Sequence, residues 1–213
     1  MKTRITLAMI LIGIVLCSAA VAYIPGLFVR ECSHCKAHVV QEDTISGNTI
    51  CAVYWTDGKR EAKMLPDHPW PVRCPVCLNL FWVIEAEVVE SGFEAAKGKP
   101  QVMTLSENEI HNFLTRQAAL LKEKEIYLRM RLWWAANDAW RSVPNPNSPF
   151  SKKQVQNLDA LSARLDGSLP SHRILKTEIA RELGRFADCL LLLSYQFEGG
   201  YPRKPSGREG PCA

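Results

Sequence analysis

Two short cysteine motifs, Cys32-Ser-His-Cys35 and Cys74-Pro-Val-Cys77, decide the fold of the first half of this chain. A C-x-x-C turn places two sulfurs along one edge of a tetrahedron, and two such turns supply the four thiolates that zinc prefers. Residues 36–73, between the pairs, leave room for a hairpin and a proline-rich loop. The spacing therefore predicts one structural zinc site, formed by Cys32, Cys35, Cys74 and Cys77, in a small β-rich ribbon.

Other interpretations of these thiols stay open. Each pair could close on itself as a redox-active disulfide, since export favours disulfides and Pro75 gives the second pair the look of a thiol-exchange motif. Against this, neither pair is expected to follow a strand and open a helix, as thioredoxin-type pairs do. Rubredoxin-like iron is a further alternative to zinc. Nearby histidines, more typical of surface positions, could replace a thiolate: His34, His38 and His68.

The other cysteines and the tryptophans of the ribbon are assigned to packing. Cys51 lies in a strand-like run and Cys189 in an apolar helical run, so both are expected to be buried. Cys212 is a stray thiol near the C-terminus. Three tryptophans are expected to cover the thin core of the ribbon, with nucleobase stacking as the alternative: Trp55, Trp70 and Trp82.

The charge balance disfavours nucleic acid as a partner. The 213 residues carry a formal net charge of +4, and Lys2 and Arg4 supply two of the positive charges. A nucleic-acid-binding domain concentrates Lys and Arg on one surface, and no such excess is visible in this chain.

The first segment, residues 1–25, is predicted to be a signal peptide or a single transmembrane anchor. Residues 5–24 carry no charge and would span about 30 Å as a helix, enough to cross a bilayer. Ala20-Val21-Ala22 is also an A-x-A cleavage site. In both cases the basic N-terminus stays cytoplasmic and the remainder lies outside the cytoplasm, membrane-anchored or exported.

The rest of the sequence changes character along its length. Strand-like runs at 49–55 and 80–89 flank a proline-rich loop, and the period becomes helical after Thr104. The predicted segments are a four-cysteine ribbon at 28–90, a linker at 91–104, a helical domain at 105–197 and a disordered tail at 198–213.

Two capping boxes mark helix starts in the helical domain. Ser106 with Glu109, and Ser151 with Gln154, have the residue types and spacing of this motif. The last two helices are expected at 171–183 and 187–197, joined at Gly184. The fold class is therefore α+β: a β-rich zinc ribbon, then an all-α helical-hairpin domain, preceded by one apolar N-terminal helix.

Gly184, Phe186 and Cys189 resemble the middle of a tetratricopeptide repeat, with Cys in place of the usual small Ala and Leu193 at the later apolar position. Arg173 and Thr177 depart from that pattern. Together with the cysteine pairs, the runs 73–82 and 177–186 resemble uncharacterised bacterial proteins that join an N-terminal four-cysteine zinc ribbon to a tetratricopeptide-like tail. This resemblance implies a helix-turn-helix unit that binds proteins or peptides, and it brings no established activity.

No catalytic constellation is visible: the sequence lacks G-x-S-x-G, a phosphate-binding loop and H-E-x-x-H. We therefore expect a non-enzymatic, membrane-associated or exported zinc-ribbon protein whose helical half binds a protein partner of unknown identity. The alternatives are a thiol-disulfide redox protein that uses the C-x-x-C pairs and a nucleic-acid-binding ribbon.

Overall fold

The computed structural model describes residues 23–116, 120–142 and 150–194. Most of the predicted leader and the whole predicted tail lie outside these ranges, as does Cys212. Within them, no helix is both long and apolar enough to cross a membrane. The described chain forms two compact units of a mixed α+β fold: a ribbon unit, 23–52 with 61–104, and a helical unit, 53–60 with 105–194.

The ribbon unit contains two antiparallel sheets. Their strands are β1 (Ile24–Glu31), β2 (His38–Ser46), β5 (Pro71–Arg73), β6 (Leu80–Trp82) and β7 (Val88–Ser91), and a 3₁₀ turn follows β6 at Val83–Glu85. The first sheet has three strands in the order β2-β1-β7, and its central strand pairs with β2 from Ile24 opposite Ser46 to Glu31 opposite His38. The second sheet joins β5 to β6.

Several strand boundaries differ from the expectation. The run 49–55 forms a strand only at β3 (Val53–Tyr54), which pairs with β4 (Arg60–Glu61). The run 80–89, expected to form one strand or a pair of strands, contains two strands separated by the 3₁₀ turn. Pro25-Gly26, a dipeptide that is typical of turns, lies within β1. The strand accommodates Pro25 because the register with β2 shifts there, and proline is tolerated at such irregularities.

The predicted linker, 91–104, is an integral part of the ribbon unit. It contains a single-turn helix, α1 (Phe93–Ala96). The backbone N–H of Val102 donates to the carbonyl of Val40 at 2.9 Å, and Met103 and Arg73 exchange two backbone hydrogen bonds. The segment is rich in glycine and small residues, but its backbone groups pair with two ribbon strands, which fixes it in place.

The helical unit contains α2 (Glu107–Arg116), α3 (Lys122–Ser142), α4 (Lys152–Arg164), α5 (Pro170–Glu182) and α6 (Phe186–Ser194). Both predicted capping boxes are confirmed: Ser106 and Ser151 each exchange hydrogen bonds with the residue three positions on. The core is formed by large side chains of α3, α4 and α5 and by the residue that ends α4: Met130, Trp133, Leu158, Leu161, Leu165 and Ile179.

The turn between α5 and α6 is a Schellman motif centred on Gly184. Gly184 has φ 71°, the N–H of Arg185 donates to Ala180 at 2.8 Å, and the N–H of Gly184 donates to Arg181. Glycine reaches this left-handed conformation without steric cost, which explains why the helix ends here. Cys189 is buried, as expected, and its thiol donates to the carbonyl of Thr177.

Residues 53–60, which the sequence grouped with the ribbon, belong to the helical unit. The carboxylate of Asp57 is fully buried and accepts hydrogen bonds from Arg141 at 2.6 Å and Asn137 at 2.8 Å. Trp134 donates its indole N–H to the Asp57 carbonyl, and the guanidinium of Arg141 lies 4.2 Å from the ring centroid of Trp55. A buried, paired carboxylate therefore anchors this hairpin tip to α3.

Candidate metal centre

The first cysteine pair lies in a tight turn between β1 and β2. The N–H of Lys36 donates to the carbonyl of Cys32, and the N–H of Cys32 donates to the carbonyl of Ala37, both at 2.9 Å. Lys36 adopts φ 62°, a left-handed conformation uncommon for a residue with a side chain. The reversal brings both sulfurs of the pair to the same end of the strands.

The second pair repeats this geometry between β5 and β6. The N–H of Leu78 donates to the carbonyl of Cys74, and the N–H of Cys74 donates to the carbonyl of Asn79, again at 2.9 Å. Leu78 has φ 62°, matching the value at the equivalent position of the first turn. Each turn joins two antiparallel strands and opens no helix.

The two turns bring the four sulfurs into one cluster, with all four lying within 4.8 Å of one another. The Sγ atoms of Cys32 and Cys77 are 3.9 Å apart, and those of Cys35 and Cys74 are 3.7 Å apart. A tetrahedral zinc with Zn–S bonds of about 2.3 Å places neighbouring sulfurs about 3.8 Å apart. A disulfide requires about 2.05 Å. The cluster thus has the spacing of a tetrahedral metal site.

Burial differs between the first and second cysteine of each turn. Cys32 and Cys74 are completely buried, Cys77 is half-buried and Cys35 is exposed. The two buried cysteines belong to the ribbon core itself, together with Val39, Val72, Phe81 and Val83. A core with so few large apolar side chains gains much of its stability from any ion that joins the two turns.

The protonation of the thiols differs across the cluster. The backbone N–H of Asn79 stabilises the thiolate of Cys77 and lowers its pKa to about 7. The N–H of Ala37 has the largest single effect on Cys35 and lowers its pKa, but partial desolvation of the sulfur and hydrogen bonds with the other three sulfurs together outweigh it and raise the pKa of Cys35 to about 12. Four adjacent thiols cannot all ionise unless a cation compensates the charge, so metal binding would release protons from them.

None of the three nearby histidines belongs to the cysteine cluster. His34 is exposed and its ring Nε2 lies 3.0 Å from the carbonyl of Leu80. His68 contacts the hydroxyl of Thr44 instead. His38 begins β2 with its side chain exposed.

Two packing predictions were wrong. Cys51 is exposed in a turn with φ 59°, because the expected strand begins only at Val53. Of the three tryptophans expected to cover the ribbon core, only Trp82 is buried there. Trp70 is exposed. Trp55 packs against Arg141 in the helical unit, because the hydrogen bonds of Asp57 hold residues 53–60 against α3.

Sequence reasoning did not identify the residues that shape the two turns. Lys36 and Leu78 provide the left-handed positions, and Ala37 and Asn79 provide the N–H groups that face sulfur. Neither lysine nor leucine signals a left-handed conformation by itself. The only available signal was the equal spacing of each position from its cysteine pair.

No protein-family model matches the chain, and searches of curated proteins and of solved structures also return no match. The resemblance to zinc-ribbon proteins with tetratricopeptide-like tails therefore depends on the residues of this chain alone.

Proposed function

We propose that this protein is a membrane-associated or exported zinc-ribbon protein that acts as a non-enzymatic protein-interaction scaffold. The observation that carries the proposal is the sulfur cluster, in which two matching turns place Cys32, Cys35, Cys74 and Cys77 at tetrahedral spacing. Four thiolates complete the coordination of zinc and leave no position for water or substrate. The ion would therefore fasten the β1-β2 turn to the β5-β6 turn and take no part in a reaction.

Metal analysis of the purified full-length chain tests the zinc site. We expect one zinc per chain, and we expect a chelator to release that zinc and expose four additional reactive thiols together. Cys74→Ser should abolish stoichiometric zinc. Cys189→Ser is the matched control, because this thiol is also buried but lies in the helical unit, so it should leave zinc content unchanged. Purified chain without metal and with oxidised C-x-x-C pairs would overturn the proposal.

The geometry is less favourable to the thiol-disulfide alternative. Sulfurs from different motifs are close neighbours in the cluster, since Cys32 lies 3.9 Å from Cys77 and Cys35 lies 3.7 Å from Cys74. In a C-x-x-C redox motif the first cysteine attacks the substrate and must be accessible. Cys74 is completely buried. The thiol count described above separates the two functions.

The scaffold role is assigned to α6, which leaves a stripe of large apolar side chains exposed. Phe186, Leu190 and Leu193 are each more than half exposed and lie at positions i, i+4 and i+7, on one face of the helix. Beside them Cys189 packs against α5. Stacked helical hairpins bury such a stripe against the next helix. We therefore propose that the partner presents an amphipathic helix to α6.

A photoreactive residue on α6 tests this contact. With p-benzoylphenylalanine at position 190, irradiation of native membranes should give one discrete protein adduct, and adding Leu193→Asn should remove it. Position 169 is the matched control, because Leu169 is an exposed leucine outside the stripe, at the start of α5. Absence of an adduct at position 190, or equal labelling at 169, would refute a helix-binding role for α6.

The proposed location depends on the apolar sequence of residues 5–24. Since Ile24 begins β1, a membrane-spanning helix would have to end at or before Tyr23. A reporter fused to the C-terminus is expected to be active only outside the cytoplasm. Cytoplasmic activity of the reporter would exclude both the anchored and the exported form of the proposal.

A further inference from the structure

Three large apolar side chains are exposed together at the N-terminal end of β1. Ile24 is 49% exposed, Ile45 is 63% exposed and Phe93 is 73% exposed. Single exposed apolar residues are common on protein surfaces, whereas a contiguous group marks a site of contact with another apolar surface. We call Ile24, Ile45 and Phe93 the β1-end patch.

Strand pairing brings these residues to one end of the sheet. Ile24 lies opposite Ser46, directly beside Ile45 on β2. A β-carbon added to Gly26 would lie 2.6 Å from the Ile45 side chain, so the two strands approach closely here. The N–H of Gly92 donates to the carbonyl of Leu27 at 2.8 Å, which places Phe93 next to the same end of β1.

Two members of the patch, Ile45 and Phe93, line a cleft of about 460 Å³. Residues 25–28 of β1 also line this cleft, and Glu42 is the one charged residue among the lining side chains.

The position of the patch in the chain indicates what covers it. The uncharged run of the sequence begins at Ile5 and continues into β1 as far as Val29. A membrane-spanning helix in this run would have to end before Ile24, where β1 begins. Consecutive Cα atoms are 3.8 Å apart, so a helix that ends at Ala22 would place Ile24 within about 8 Å of its end. Tyr23 is itself fixed to the sheet, because its hydroxyl donates to Glu42 at 3.3 Å. A membrane-spanning helix that ends at Ala22 would therefore leave only Tyr23 between it and β1.

We propose that the β1-end patch rests in the interfacial layer of the lipid bilayer, an inference that depends on the anchored form of the proposed function. An anchor without a linker holds this end of β1 at the membrane surface, where apolar side chains enter the boundary between headgroups and acyl chains. Tyr23 lies at the level where aromatic residues concentrate in membrane proteins.

The same geometry holds the metal centre away from the lipid. Strand β1 runs from Ile24 to Glu31, and Cys32 follows it directly. At about 3.3 Å per residue, the cysteine turns lie about 25 Å from the patch along the strand. One end of the ribbon would therefore contact the bilayer, and the cysteine cluster would lie at the opposite end.

Photocrosslinking to lipid tests the contact. The full-length chain, made without cells and incorporated into phosphatidylcholine vesicles, would carry p-benzoylphenylalanine at position 93 or at position 45. Position 78 is the matched control, because Leu78 is also an exposed apolar residue but lies in the second cysteine turn. After irradiation, intact-mass analysis should show a phosphatidylcholine adduct at 93 and 45 and at least tenfold less at 78.

Two outcomes overturn the inference, and they separate it from the proposed function. If the vesicle-anchored chain gives no lipid adduct at 93 and 45, or as much at 78, the patch does not face lipid, and the proposed function is unaffected. If mass analysis of the protein from cells shows cleavage before Tyr23, the anchored form of the function fails and the inference fails with it. An adduct between two copies of the chain at position 93 would also overturn it, since the occupant would then be protein.

Discussion

Replacing Asp57 with Asn should destabilise the helical unit more than any other single change in the hairpin tip at residues 53–60. Asp57 and Arg141 form an ion pair at 2.6 Å, with side chains that are 1% and 15% exposed. Removing one partner of a buried ion pair costs about 3–5 kcal/mol, because the remaining charge stays buried without compensation. Arg141 keeps a second carboxylate, Asp138, at 2.7 Å, so we expect the lower end of that range, about 3 kcal/mol.

Asp138→Asn is the matched control for this change. Asp138 pairs with Arg141 and also with Lys59 of the hairpin tip at 2.6 Å, but its side chain is 41% exposed. Exposed ion pairs contribute about 0.2–1 kcal/mol each, so the loss of both pairs should cost about 2 kcal/mol at most. Both variants remove one carboxylate charge that binds Arg141, and only Asp57→Asn removes a buried one.

Urea unfolding followed by the far-ultraviolet helix signal measures both effects, because the five longer helices of the described residues all lie in the helical unit. Asp57→Asn should lower the unfolding midpoint without changing the slope. A midpoint no lower than that of Asp138→Asn would refute the idea that a buried carboxylate anchors residues 53–60.

Three further predictions concern other parts of the fold. Gly184→Ala should cost about 1 kcal/mol in thermal or urea unfolding, because φ is 71° and the added β-carbon meets no atom within 4 Å; an unchanged stability would contradict this. Burial raises the pKa of Glu182 above 4.5, so the folded state holds this proton more tightly than the unfolded state. The contribution of Glu182 to the free energy of unfolding should therefore fall as pH rises from 4.5 through the folded pKa. The difference in unfolding free energy between wild type and Glu182→Gln, measured across that range, should show this fall, and a pH-independent difference would count against it. Removing zinc with a chelator should abolish amide-exchange protection in β1 and β2 and leave α3 to α5 protected, because structural zinc supplies on the order of 10 kcal/mol to a small domain; equal protection with and without metal would show that the ribbon folds alone.

Features set by local chemistry could be predicted from the sequence. A capping box needs two residue types three positions apart, so Ser106 and Ser151 identify helix starts without knowledge of the rest of the fold. The ending of α5 at Gly184 depends likewise on one left-handed residue. The cysteine cluster was predictable because paired C-x-x-C turns have one common geometrical solution.

Features that depend on distant partners were not predictable. Considered with its sequence neighbours alone, Pro25-Gly26 predicts a turn and not a strand. In the fold, β1 lies between two other strands, and hydrogen bonds with them determine its conformation. Asp57-Gly58 is a correct turn signal, yet the sequence does not show that Arg141 and Asn137 bind that carboxylate. The contact joins residues about eighty positions apart, which no local pattern encodes.

The excursion of residues 53–60 into the helical unit means that the chain crosses between the units three times, after residues 52, 60 and 104. A cut of the backbone at any one of these places leaves a piece that contains segments of both units, so no single cut separates them. A fragment that begins at residue 105 would lack Asp57. Arg141 would then lose the buried carboxylate with which it pairs, and the indole N–H of Trp134 would lose its acceptor. Separate study of the two units therefore requires a circularly permuted chain or a designed replacement for the hairpin tip. Simple truncation at residue 105 would destabilise the helical unit, because it removes residues 53–60.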